Sequence, residues 1–196
     1  MKKFHEIADE IITGVLTRRV VWEEGNGDPS LLKSEKILVP KAINDGLIDH
    51  SLLQEVKLYK EVKDKFYTKK GDVIMKLSTP YDSCVIEKEE DEGLIVPSFS
   101  LIIRKINPKY NPYFVMAFLS SKCAWAQIKN SREGRMLSII SKESVAELDV
   151  PDFNDEEIKE ISNRYKRFLN FKRLSAEIIS LEKERNDTLF LKNEED

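Results

Sequence analysis

Asp152, preceded by Pro151, and Glu157, followed by Ile158 and Lys159, come nearest in type and spacing to a catalytic constellation. Such a pattern serves metal-dependent phosphodiester cleavage when the two carboxylates stand on adjacent strands and share a Mg2+ ion. Here Glu157 falls in the first turn of a helical repeat, where a side chain reaching back to cap the helix explains it better. The two histidines, His5 and His50, have no Ser or Cys partner in a nucleophile-elbow setting, so an acyl-transfer triad is unsupported and both read as surface histidines. Cys84 and Cys123 stand far apart without metal-ligand spacing, which indicates neither a zinc site nor a disulfide framework and fits a reducing cytoplasm. No catalytic residue, metal ligand or cofactor is assigned.

Asn111-Pro112-Tyr113-Phe114 is similar to the Asn-Pro-Pro-Tyr loop with which adenine methyltransferases hold an extruded base, with one proline fewer. No glycine-rich strand-to-helix loop accompanies it, and the whole chain has seven glycines. Binding chemistry is better represented. Lys76, Ser78, Thr79, Tyr81 and Ser83 lie in one polar stretch, and Ser131, Arg132, Arg135 and Ser138 lie in another around Gly134. With Ser98 and Lys129 they supply the donor and acceptor types that contact base edges and phosphates of DNA. A solvated loop charge is the plain alternative for Arg132 and Arg135. The chain's net charge is -3, but Leu101 to Val145 holds eight basic residues against two acidic ones. Asp82 to Glu92 holds six acidic residues against Lys88, as an acidic loop facing solvent. Phosphate binding answers to the local potential, so the overall sign does not exclude DNA.

These stretches need elements to hold them. Phe4, Ile7, Ala8, Ile11 and Ile12 recur at helical spacing and predict a short opening helix from Phe4 to Ile12, then a short strand near Val15 and Leu16. Val20 to Trp22 reads as a strand-like triplet, Glu23 to Ser30 as a polar loop, and Lys36 to Val39 as a strand ended by Pro40. Asn44-Asp45-Gly46 predicts a tight turn between strands. Leu53 to Tyr59, Val73 to Leu77 and Cys84 to Ile86 read as strands, and Leu94 to Arg104 as two extended runs bent at Pro97. Tyr113 to Ile128 predicts one amphipathic helix whose Phe114, Phe118 and Trp125 stripe is core. Leu137 to Ile140 reads as a short strand and Lys142 to Leu148 as a helical turn.

The last fifth, Asn154 to about Leu191, predicts a single helix some 38 residues long, which at ~1.5 Å per residue reaches ~57 Å and must protrude or cross. Ile158, Ile161, Tyr165 and Phe168 keep one 3, 4, 3 rhythm, and Phe171, Leu174, Ile178 and Leu181 keep another after a phase shift. Asn154 and Glu157 form a capping box. The expected organisation is an α/β (α+β) body with mixed or antiparallel strands over residues 1–153, then a long helix and polar tail over 154–196 for coiled-coil pairing. The first seam packs on the body and the second meets a partner copy. An apolar fraction of 41% suffices for a core, and no run approaches the length of a membrane span or a signal region, so a soluble protein is expected.

The order of motifs resembles the target-recognition domain of type I restriction-modification specificity subunits. The resemblance rests on Gly71-Asp72-Val73-Ile74 with the Ser/Thr loop behind it, Ile95-Val96-Pro97-Ser98-Phe99, and Asn111-Pro112-Tyr113-Phe114-Val115 running on to Ser121. Ser131-Arg132-Glu133-Gly134-Arg135, leading through Val150-Pro151 into the long helix, is similar to the family's exit into its spacer helix. The chain keeps one proline and no glutamine after that exit, and it has one recognition domain and one helix where the full subunit has two of each. The resemblance therefore implies half a subunit, reading double-stranded DNA without catalysis of its own. It implies docking to a methyltransferase (modification) subunit and to a restriction/translocase subunit, with homodimerisation through the C-terminal helix. Two other classes are weighed against it: a recognition domain detached from an adenine methyltransferase or nuclease, and an interaction protein that uses the helix without touching DNA.

Overall fold

The computed structural model describes residues 1–22, 33–130 and 139–191. In chain order the elements are β1 (Lys2–Lys3), β2 (Ala8–Thr13), β3 (Lys33–Ile37), β4 (Ile43–Asn44), β5 (Leu47–Ile48), β6 (Gln54–Leu58), β7 (Val73–Lys76), β8 (Ser83–Val85), β9 (Ser100–Ile106), α1 (Pro112–Leu119), α2 (Lys122–Asn130), α3 (Lys142–Ala146), β10 (Asp149–Val150) and α4 (Asp155–Leu191). The main sheet has the order β2-β9-β7-β8 and is antiparallel throughout; β1 pairs with β10, β3 with β6 and β4 with β5. This is the expected class: antiparallel sheets in a body, followed by one long C-terminal helix.

Successive residues of a strand point to opposite faces, and here both faces of the main sheet are buried. Ile11, Val73, Met75, Leu101 and Ile103 belong to a cluster with Phe114, Met116 and Phe118 of α1, Ile128 of α2, and Ile158 and Leu169 of α4. Ile74, Cys84 and Ile102 belong to a second cluster with Leu38, Ala42, Ile43, Leu94 and Val96, and Ile12 packs against it. Burial of each such side chain contributes about 1.5–3 kcal/mol. A third cluster, with Val20, Ile37, Val56, Leu58 and Ile95, supports the β3–β6 pair.

Several elements differ from their sequence expectation. Phe4 to Ile12 is a 3-10 turn, Phe4–Glu6, followed by β2, because a strand buried on both faces places apolar residues together as Ile11-Ile12 and imitates helical spacing. Residues 113–128 form two helices rather than one. The break lies at Ser120 and Ser121, where Ser121 Oγ accepts from Ala124 N–H at 3.2 Å and Ser120 Oγ from the Tyr165 hydroxyl at 2.8 Å. Val15 and Val21 make isolated bridges to Pro97 and Leu58 in place of strands. Ile139 and Ile140 are not in a strand; Leu137 and Ser138, like the expected loop from Glu23 to Ser30, lie outside the described residues.

Helix α4 begins as expected: Glu157 N–H donates to Asn154 Oδ1 at 2.9 Å, and Asn154 N–H donates to Glu157 Oε2 at 2.8 Å. Its first half is seated on the body through Ile158, Ile161, Tyr165 and Leu169. Phe168, expected to pack there, touches Tyr165 but is 47% exposed; the buried position belongs to Leu169. Leu169 fits because of the Asn44-Asp45-Gly46 turn. Asp45 and Gly46 have φ of 53° and 83°, the geometry of a two-residue hairpin turn, and a Cβ on Gly46 would lie 2.5 Å from Leu169 Cδ2 and 2.9 Å from Met116 Cε. Lys172 then reaches Asp45 at 2.8 Å, and Lys166 reaches Glu87 at 2.5 Å. Lys166 and then the Tyr113 hydroxyl hold the Glu87 carboxyl below its ordinary range. No helix of the described residues is long and apolar enough to cross a membrane.

Gly46→Ala combines a clash with a strained φ, and about 1–3 kcal/mol of destabilisation is expected. Urea unfolding measures the loss, and proteolysis should cut α4 faster near Leu169 than in the unsubstituted protein.

Candidate nucleic-acid interface

Antiparallel pairing brings four chain ends to each edge of the main sheet. At one edge β2 and β7 finish while β9 and β8 begin, so residues 14–19, 97–99 and 77–82 emerge side by side. Leu77 ties this edge together with its backbone alone: its N–H donates to Phe99 O at 2.9 Å, and its C=O accepts from Ile140 N–H at 2.9 Å. The polar loop after β7, the turn before β9 and the segment that follows Ser138 are thus neighbours. On the flank, Tyr81 packs on Trp125 of α2 with ring centroids 4.9 Å apart. A cleft of ≈ 500 Å³ separates these two rings from Tyr165, Phe168 and Lys172 at the base of α4.

Among the residues singled out from sequence, Thr79 and Lys129 are exposed, and Ser78, Tyr81 and Ser98 are partly exposed. Lys76 and Ser83 are 4% and 2% exposed, which removes both from the solvent-facing set. The Lys76 ammonium donates to Ile43 O at 2.7 Å and so holds β4 against β7. Ser131, Arg132, Arg135 and Ser138 lie outside the described residues, whose nearest members are Asn130 and Ile139. Trp125, expected in the core, is only partly buried and stands beside Tyr81 at this edge. No sequence signal singles out Leu77, since it acts through peptide groups that every residue carries.

The basic segment is divided by the fold. Arg104 forms a two-pronged pair with Asp72 at 2.8 and 2.6 Å and donates to Tyr67 O at 2.7 Å, at the opposite edge of the sheet. The Asp72 carboxylate beside it raises the guanidinium's pKa further. Lys105 pairs with Glu10 and Lys109 with Asp155. Lys122, Lys129 and Lys142 remain exposed. The acidic run over residues 87–92 follows β8 at that same opposite edge, where Glu87 is bound by Lys166 and Asp91 by His50. His50, Glu90 and Asp91 come within metal-ligand reach of one another, but Lys88 already occupies Glu90 at 2.8 Å.

Two sequence motifs are accounted for as helix caps. Asn111 Oδ1 accepts from Tyr113 and Phe114 N–H at 2.9 and 3.1 Å, so its amide oxygen is engaged in starting α1 rather than aimed at a base. Asp152 receives the Met1 amino group at 2.6 Å, and Glu157 closes the box that starts α4.

No family model and no curated protein matches the sequence. The fold is similar to that of the HsdS subunit from Thermoanaerobacter tengcongensis, with a TM-score of 0.55 and 19% identity over 86% of this chain and 45% of that one. A second similar chain comes from a structure described as the basis of complex assembly and conformational transition of the type I R-M system. Its TM-score is 0.55 at 18% identity, covering 86% of this chain and 46% of its own. The chain therefore spans about half the length of these proteins. At such identity the likeness establishes a shared fold, the one that the order of sequence motifs implies.

Lys76→Met separates a structural lysine from a phosphate-binding one. Losing the bond to Ile43 O leaves a buried carbonyl unpaired, at a cost of about 1–3 kcal/mol. Thermal unfolding should register that loss, while the salt dependence of DNA binding should stay unchanged.

Proposed function

We propose that this chain is the DNA-reading half of a type I restriction-modification specificity subunit. Residues 1–153 read one half-site of double-stranded DNA, and residues 154–196 form the spacer through which a second copy pairs. The chain performs no catalysis itself; it docks methyltransferase subunits, and through them a restriction/translocase subunit, in the cytoplasm. The observation that carries this reading is the meeting of separate polar loops at one end of a sheet that is otherwise buried, on a body from which a long helix departs. Ser78, Thr79, Tyr81 and Ser98 belong to that end, and Lys129, Arg132 and Arg135 are proposed to add their charge to it. The half-length match to HsdS chains supports the same reading.

The helix supports pairing. From residue 173 onward it runs ~28 Å, and Phe171, Leu174, Ile178 and Leu181 are 69, 50, 61 and 57% exposed. Isolated helices of this length are marginal in water, and an apolar stripe along one calls for a partner. Its charges are also sorted: residues 161–176 hold five basic and no acidic residues, and residues 177–187 hold four acidic and two basic ones. A second copy laid antiparallel sets the acidic stretch of each helix against the basic stretch of the other. Two-fold pairing in turn matches a two-fold DNA site, with its spacing set by the helix.

Leu174→Asp combined with Ile178→Asp should leave the body folded by circular dichroism and abolish the dimer in sedimentation; a dimer that survives removes the spacer role. Footprinting in the presence of a type I methyltransferase subunit should protect a split palindrome. Replacing Arg132 and Arg135 together by Ala should lower the slope of log affinity against log salt by about two. An interaction protein that never touches DNA would show neither the footprint nor the slope.

A further inference from the structure

Outside α4, large apolar side chains exposed by more than a third are few among the described residues. Beyond Met1 and Tyr59 they are Leu16 at 37%, Phe99 at 53% and Ile139 at 45%, and all three emerge at the loop-bearing edge of the main sheet. Backbone bonds join their segments. Ser98 N–H donates to Val15 O at 2.8 Å, next to Leu16, and Leu77 links Phe99 to Ile140, next to Ile139. Phe99 is the third residue of a turn closed by Ser100 N–H on Pro97 O at 3.0 Å. Gly14 backs this turn so closely that a Cβ there would lie 2.3 Å from both Val96 O and Pro97 O. The ring is thus exposed on a backbone with little freedom left to lose, which lowers the entropic cost of binding through it.

The charges beside this ridge say what covers it. Arg18 and Arg19, in the 3-10 turn Thr17–Arg19 directly after Leu16, are exposed and have no acidic partner among the described residues. The nearby Asp82 carboxylate is turned toward Gly46 and Ser83 N–H groups at 3.2 and 2.8 Å. An apolar centre flanked by unpaired guanidinium groups matches duplex DNA, which offers base edges within a groove and phosphates on both sides. Thymine is the base that presents an apolar group there, its C5-methyl. We infer that Phe99, flanked by Leu16 and Ile139, reads thymine methyl groups in the major groove while Arg18 and Arg19 grip the adjoining phosphates. This rests on the DNA-reading function above and gives that edge its base preference.

The test selects bound duplexes from a random-sequence pool, using the full chain assembled with its methyltransferase subunit, and then replaces each dT of the selected site by dU. Removing a contacted methyl should weaken wild-type binding about fourfold at one position or more. Phe99→Ala should bind the dT site more weakly and be indifferent to dU there, and Phe99→Leu should keep the preference. Arg18→Ala with Arg19→Ala should lower the salt slope by about two and leave the dU penalty in place. If every dU is neutral for wild type, or if the penalty persists in Phe99→Ala, the assignment of Phe99 falls while the DNA reading stands. Loss of the methyltransferase subunit from Phe99→Ala with DNA binding intact makes the ridge a protein contact and likewise overturns it. A pool that yields no enriched sequence removes the DNA reading and this inference together.

Discussion

Burial of both faces of the main sheet governs the rest of the molecule. Ile11 and Ile12, Val73 and Ile74, and Ile102 and Ile103 are adjacent pairs whose members enter opposite clusters, so neither face is left to carry a binding surface. What the sheet leaves exposed is confined to the edges where strands turn. One edge is closed by its own chemistry: Arg104 bonds Asp72 and the Tyr67 carbonyl, and Asp72 also accepts from Lys69 N–H at 2.8 Å. Leaving either partner of that pair alone would strand a charge in a poorly hydrated place. The other edge gathers loops, hydroxyls and arginines that have no acidic partner among the described residues, held together by peptide groups of Leu77 whose N–H only proline there would remove.

The base of α4 obeys a second, narrower constraint. Leu169 packs directly against Gly46, which holds a φ of 83°, and ion pairs from Asp45 to Lys172 and from Glu87 to Lys166 flank that point. Depressed carboxyl pKa values at Asp45 and Glu87 mean that these bridges favour the docked helix above the carboxylate range and fade below it. Beyond Lys172 the stripe residues Leu174, Ile178 and Leu181 are half or more exposed. The helix's orientation is decided at one end, over the roughly four turns from Ile158 to Lys172, and the remainder continues from there.

How much of this was legible depends on whether the signal was local. The capping box of Asn154 and Glu157, the turn at Asn44-Asp45-Gly46 and the strand at Val73 are written in adjacent residues, and all three are where the sequence puts them. The opening strand was not legible, because apolar residues on both faces of a strand reproduce the spacing of one helical face. Lys76 and Arg104 show the same limit for charges. Each reads as a candidate for phosphate contact or basic footprint, and each is claimed by a partner more than thirty residues away, Ile43 and Asp72 respectively. Phe99 had no signal at all as a surface residue; apolar residues in an extended run read as core until the turn that exposes the ring is in view. The order of motifs carried more than any one of them, and the shared fold at 19% identity agrees with that order.

The placement of the acidic residues over 87–92 has a consequence of its own. They sit at the edge opposite the one that bears Arg18 and Arg19, so the local potential differs between the two ends of the strands even though the net charge is only -3. A polyanion in solution responds to that local difference rather than to the net charge. For the DNA reader proposed above, a modest overall negative charge works in favour of selectivity, because it weakens indiscriminate attachment along DNA while leaving the loop-bearing end free to engage.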